Sequence, residues 1–195
     1  MNGEGDGVVS RIESTGHVRD GRWTPERATS WFLVRGRESR SEIVYDWAAR
    51  KIHYRFRGET FFLRRLRVVD DTMPVPQGVH VDDVVTALFN YADAHWKPQP
   101  DGAYRTLIVR RRKREGEGPD DVDAESGAEL VPFVLKVGRD QQTGKPVASF
   151  DMTRFSSWAR PGRPARIVFG SDRRPELITT SLILGTSVTI RLRES

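Results

Sequence analysis

The sequence predicts an all-β fold: a strongly curved antiparallel sheet, or partly open barrel, of about ten strands with one covering helix. Three observations predict it. Short apolar segments alternate with polar residues at the period of two expected of strands with one wet face. Turn residues punctuate these segments at short intervals. Only one stretch, after Asp82-Asp83, carries apolar residues at helical spacing.

In chain order, residues 1–7 are Gly-rich and polar and read as a flexible tail. A strand is expected over Val8–Glu13, a loop at Asp20-Gly21 and Thr24-Pro25, and a strand over Ala28–Arg37. Ser41–Trp47 alternates cleanly, with Ile43, Tyr45 and Trp47 on one face. After Ala48-Ala49-Arg50, the segment Lys51–Arg57 places Ile52, Tyr54 and Phe56 opposite Lys51, His53, Arg55 and Arg57. Gly58-Glu59 turns the chain into a returning strand, Thr60–Val69, and Asp70 to Gly78 reads as a loop.

Asp82 or Asp83 then caps a helix, because a carboxylate there accepts from free backbone N–H groups and suits the positive end of the dipole. Val84, Val85, Leu88, Tyr91 and Ala92 share its apolar stripe, and the end is expected near His95-Trp96, ahead of Pro98 and Pro100. The helix should lie on the sheet or plug one end of the barrel. Strands follow at Ala103–Arg112, Ala128–Gly138 and Val147–Met152. The last quarter holds three alternating segments joined by two turns, Ser171–Pro175 (SDRRP) and Leu184–Ser187 (LGTS).

The 195 residues suit a single domain. Lys and Arg number 32 against 27 Asp and Glu, a net +5 that serves solubility and only weakly attracts anions. There is no cysteine, which excludes disulfides, thiolate zinc sites and thiol catalysis. No run approaches the ~20 apolar residues of a transmembrane helix, and the N-terminus lacks a signal-peptide pattern.

No catalytic, metal or cofactor motif stands out, so neither an enzyme nor a cofactor is expected. His17, His53, His80 and His95 show no metal-binding spacing. Arg110–Arg114 (RRRKR) is the one concentrated cationic run, but the acidic loop Glu115–Gly127 follows and can cancel it, and no aromatics are interleaved. Nucleic acid is therefore disfavoured as a partner. Asp82-Asp83 suggests acid–base work, with capping as the favoured reading. The aromatic strand faces offer a concave lining in which Tyr45, Trp47, Tyr54 and Phe56 meet an apolar or lipid-like ligand. The competing reading is an ordinary filled core.

Phe169 and the turn Ser171, Asp172, Arg173, Arg174 and Pro175 resemble a signature of a bacterial exported family, domain-of-unknown-function family 3108, in which a strand ends in serine–aspartate, arginine and proline. Leu184-Gly185-Thr186-Ser187 with Val188, Ile190 and Leu192 is similar to its last strand. Val81–Tyr91 resembles its helix, and Gly127-Ala128-Glu129 its glycine–x–glutamate. The resemblance covers about residues 40–195. It implies a periplasmic or envelope protein of Gram-negative bacteria, with a half-open barrel similar to lipoprotein carriers. It offers no established role for Arg173 or Arg174; turn chemistry predicts that Asp172 accepts from local N–H groups as an Asx turn and that Arg173 or Arg174 reaches an acidic neighbour across the sheet. Family members carry further strands ahead of Val8–Val18, so an N-terminally truncated barrel with an exposed edge is expected. The functional expectation is a non-enzymatic binder of a lipid-like or acyl ligand. The alternative is a structural module with a filled core that binds an envelope protein through a sheet edge.

Overall fold

The computed structural model describes residues 2–5, 8–122, 127–156, 158–183 and 187–193. Its elements are β1 (Asn2–Gly5), β2 (Val8–Arg19), β3 (Arg22–Val34), β4 (Arg37–Asp46), β5 (Lys51–Glu59), β6 (Leu66–Pro74), β7 (Val81–Asp82), α1 (Val84–Ala92), β8 (Ala103–Arg111), β9 (Ala128–Arg139), β10 (Pro146–Phe150), a 3₁₀ turn (Met152–Arg154), β11 (Ala165–Phe169), β12 (Pro175–Ser181) and β13 (Ser187–Arg193). All 13 strands join one sheet in the order β6-β5-β4-β3-β2-β1-β13-β12-β11-β10-β9-β8-β7. Every pairing is antiparallel except β7 with β8. The expected β-rich, partly open architecture is therefore present, with more strands than the alternation alone marks.

The sheet curls until its two ends face each other. Ile43 and Tyr45 of β4, Ile52 and Tyr54 of β5 and Val69 of β6 share one buried cluster with Val81, Val109 and Ala128 from the far end of the strand order. The ends are not hydrogen-bonded as neighbouring strands. They touch through Asp71 Oδ2, which accepts from the Ala128 N–H at 2.8 Å. A second cluster packs α1 (Ala87, Leu88, Tyr91) on Ile108, Phe133, Leu135, Ile167 and Phe169. Removing these side chains from water is the main driving term for the curl, at about 25 cal/mol for each Å² of apolar surface buried.

Several local readings change. Asn2–Gly5, read as tail, is a strand with β2 on one side and β13 on the other. Its residues carry almost no apolar signal, so the backbone pairing is invisible to periodicity. This makes the N-terminal strand internal to the sheet, where an exposed edge was expected. Thr24-Pro25 is not a loop. Gly16 pairs with Pro25 and Thr15 with Arg27, leaving Glu26 as the extra residue of a bulge. A bulge admits proline, which has no N–H to give the ladder. Gly16 is required there: a Cβ on it would lie 2.1 Å from the Thr24 carbonyl oxygen.

Gly58-Glu59 stays within β5, the reversal falls at residues 60–65, and Asp70–Pro74 belongs to β6. The pairing of Tyr54 with Asp71 and of Arg55 with Asp70 carries the strand through two aspartates that read as turn residues. Helix α1 ends earlier than expected, because Ala94 takes a left-handed conformation at φ 59°. The turn expected at Leu184–Ser187 lies outside the described residues up to Ser187, which begins β13.

Candidate functional site

The four aromatic residues expected to line a ligand cavity do face inward, and they are packed. Tyr45 and Tyr54 are each only 5% exposed and belong to the first core cluster, while Trp47 and Phe56 pack against its margin. Tyr45 stacks on Trp47 at 5.4 Å between ring centres, and the Trp47 indole N–H donates to the Pro25 carbonyl. Burial pushes the hydroxyls of Tyr45 and Tyr54 well above the usual phenol range, so both are neutral. The opposing wall at this level is Val81, Val109 and Ala128 of the same chain.

The signature turn has a structural occupation. The Asp172 carboxylate accepts from the Arg174 N–H at 2.9 Å, the Asx turn expected of it. Arg173 adopts φ 63° and lays its guanidinium over the Tyr91 ring at 4.4 Å. Arg174 lies over Phe89 at 4.3 Å and pairs with Asp93 at 2.9 Å. Both arginines therefore reach the end of α1, where an acidic neighbour across the sheet was expected. Ser171 is exposed on this turn, and Pro175 opens β12 opposite Phe169.

The adjacent aspartates serve separate tasks. Asp83 is the N-cap: its Oδ1 accepts from the N–H groups of Val85 and Thr86, and its Oδ2 from the hydroxyls of Ser14 and Thr86. Burial still raises its carboxyl above the ordinary aspartate range, against those hydrogen bonds. Asp82 is fully buried and takes four partners: Arg22 (2.5 Å) and Thr106 (2.6 Å) on Oδ2, His80 (2.9 Å) and Asn90 (3.1 Å) on Oδ1. Asn90 also exchanges two hydrogen bonds with the Trp23 backbone. This network bolts α1 to the β2–β3 hairpin. Its acceptors are occupied by structural donors, which argues against a free general base. Among the described residues, no group of three His, Asp or Glu side chains is placed to hold a metal.

The cationic run Arg110–Arg114 is answered locally. Arg110 pairs with Glu129 at 2.7 Å, and Lys113 donates to the Thr153 carbonyl. Arg111 pairs with the fully buried Glu117, which also lies 3.6 Å from Arg67. Arg67 in turn donates to the carbonyls of Gly118 and Asp121. The loop after the run is thereby tied along β6, the end strand of the sheet. At its other end β6 is covered where Asp71 meets Ala128. The opposite end strand, β7, has only two residues. Neither end offers a long bare edge for another strand.

What remains open is the outer face of β2–β6. It holds a solvent-open groove of about 920 Å³. Across it runs a register-matched row: Arg11 faces Trp31, Trp31 faces Arg40, Arg40 faces Arg57, and Arg57 faces Val68. Arg11 pairs with Glu13 at 2.6 Å and Arg40 with Glu38 at 2.5 Å. The Trp31 indole N–H also donates to Glu38, and Arg40, then Trp31, hold that carboxyl below the usual range. Arg57 has no hydrogen bond or ion pair among the described residues. Beyond the row lie exposed apolar side chains: Val68 (49% exposed), Leu66, Phe62 and Leu63.

Sequence reasoning placed Arg57 on a wet face but missed the row. Its members come from five hairpin-linked strands, and only the pairing register aligns them. Arg22 was missed for the same reason. Comparison with protein-family models, with characterised proteins and with solved structures finds no match. Fold and geometry together define the class as a β-rich, partly open sheet packed around one helix, with open grooves on its outer surface.

Proposed function

We propose that the protein is a non-catalytic interaction module with a filled core, and that it binds its partner through the outer face of β2–β6. The observation that carries this reading is the row Arg11, Trp31, Arg40, Arg57 ending on exposed Val68, within an open groove. The apolar-ligand reading needs room beside Tyr45, Trp47, Tyr54 and Phe56, and the space there holds the chain's own side chains. Binding through a sheet edge is weakened by the loop tied to Arg67 and by the brevity of β7. A face partner fits the same facts without disturbing either end. An envelope location is carried by the resemblance around Ser171–Pro175. Among the described residues no helix is long and apolar enough to cross a membrane.

The test is affinity purification from a bacterial host of the wild type, of an outer-face variant (Arg57→Glu with Val68→Lys) and of a control altered at Arg163, an exposed cation outside the groove. A stoichiometric protein partner retained by the control and lost by the outer-face variant is expected. A lipid bound stoichiometrically to all three in native mass spectrometry would restore the apolar-ligand reading.

A further inference from the structure

We infer that the outer-face groove takes an extended polypeptide segment of its partner, one whose groove-facing side chains are acidic along the arginines and aliphatic at the Val68 end. This rests on the reading of that face given above and adds the chemistry of the occupant.

The argument begins with charge. Arg40 and Arg57 stand directly opposite each other on β4 and β5. Like charges so placed repel, and an anion between them removes that cost. Arg57 has no carboxylate of its own among the described residues, so its charge is available to a ligand. Arg11 and Arg40 are held by exposed carboxylates, and exposed pairs are weak enough to be exchanged.

Geometry then restricts the anion. Neighbouring strands lie about 4.8 Å apart, so the row from Arg11 to Val68 is about 19 Å long, close to six residues of extended chain at about 3.3 Å each. Carboxylates flank the row on both sides. Glu42 lies two residues from Arg40 on β4 and Asp70 two residues from Val68 on β6, both one row away, and Glu38 and Glu59 lie on the other side. A broad anionic surface, such as a duplex or an acidic bilayer, would press on these carboxylates as well as on the arginines. A single chain crossing the strands along the row follows Arg11, Trp31, Arg40 and Arg57 and meets carboxylates only at the margins, where Glu13 and Glu38 are already paired. The far end of the row is apolar at Val68, with exposed Leu66 two residues along β6. That surface asks for an aliphatic side chain, which a polypeptide has and a nucleic-acid strand lacks.

The experiment uses the full chain and three fluorescein-labelled probes followed by anisotropy: an extended peptide with glutamate at its first and third positions, valine at its fifth and serine between them, the same peptide with lysine for glutamate, and oligothymidylate of equal length. The glutamate–valine peptide should saturate. Its affinity should weaken with added salt, and should fall about tenfold with Arg57→Glu or Val68→Lys while Arg163→Glu leaves it unchanged. The other two probes should bind at least about tenfold more weakly. Thermal melts of each variant establish that it is folded. Oligothymidylate binding more tightly than the peptide, and lost with Arg57→Glu, would overturn the polypeptide occupant while keeping the face. Peptide binding that ignores both groove substitutions would overturn the face itself. Failure of the peptide to bind at low salt would overturn the inference.

Discussion

The two faces of β3–β6 are built from the same strands with the same register, yet they obey different rules. On the inner face, Ile43, Tyr45, Ile52, Tyr54 and Val69 meet the far end of the sheet and lose nearly all contact with water. Each side chain there is fixed by volume, because the interior is close-packed and tolerates neither gaps nor excess. On the outer face, Trp31, Arg40, Arg57 and Val68 line up across the strands with only loose electrostatic ties. The difference teaches where stability and recognition reside. The inner face and its helix plug hold the fold, and the outer face is free to be shaped by a partner.

That separation can be broken most severely at Asp82. Asp82→Ala leaves the buried end of Arg22 and the Asn90 amide without their acceptor, so unfolding by denaturant should show a loss of about 3–5 kcal/mol. A wild-type stability would mean that the network is not what bolts the helix. Next comes Ile52→Ala, a fully buried truncation expected to cost about 3 kcal/mol in the same measurement. Gly16→Ala should cost about 1–3 kcal/mol, because the bulge must shift to admit a methyl group.

Smaller effects sharpen the contrast. Arg174→Ala removes the pair with Asp93 and the contact with Phe89, and should cost about 1 kcal/mol. Asp83→Asn keeps the capping oxygen and removes a charge that burial disfavours. The folded carboxyl is raised, so the native state holds its proton more tightly than the unfolded chain. Its stabilising contribution is complete below the ordinary aspartate range and is lost as pH rises through the raised value. The variant should therefore lose this downward slope of stability with pH, measured as Tm across mildly acidic buffers. Least of all, Arg57→Glu should leave Tm the same or raise it slightly, since that side chain makes no hydrogen bond or ion pair among the described residues and the substitution replaces repulsion from Arg40 by attraction. A marked drop would show that the outer face carries stability after all.

Much of this was legible from local chemistry. The alternation in Ser41–Trp47 and Lys51–Arg57 gave the correct faces, because period-two patterning is a direct record of one dry side. Asp83 was legible as a cap and Asp172 as the acceptor of an Asx turn, since both act within a few residues of themselves. The pair of Arg111 with Glu117 was foreshadowed by the acidic loop that follows, whereas Arg110 pairs with Glu129, its cross-strand partner on β9. Less local features were hidden. Asn2–Gly5 pairs through its backbone and leaves no hydrophobic mark. Pro25 looked like a loop because the bulge that accommodates it depends on Gly16, nine residues earlier on the neighbouring strand. Arg173 and Arg174 were read as turn residues reaching across the sheet, because the helix they clamp is far away in the chain.

By itself, the sequence determined the class of fold, the single helix with its cap, and which side of the central strands is dry. These follow from periodicity and from hydrogen bonds that close over short stretches of chain. Tertiary structure decided that Tyr45 and Tyr54 join a buried cluster with Val81, Val109 and Ala128, that Asp82 is a structural bolt, and that four separate strands present one row of arginine and tryptophan. The physical reason is register. A strand pattern says which face a side chain takes, but only the pairing of strands and the curl of the whole sheet decide what stands beside it.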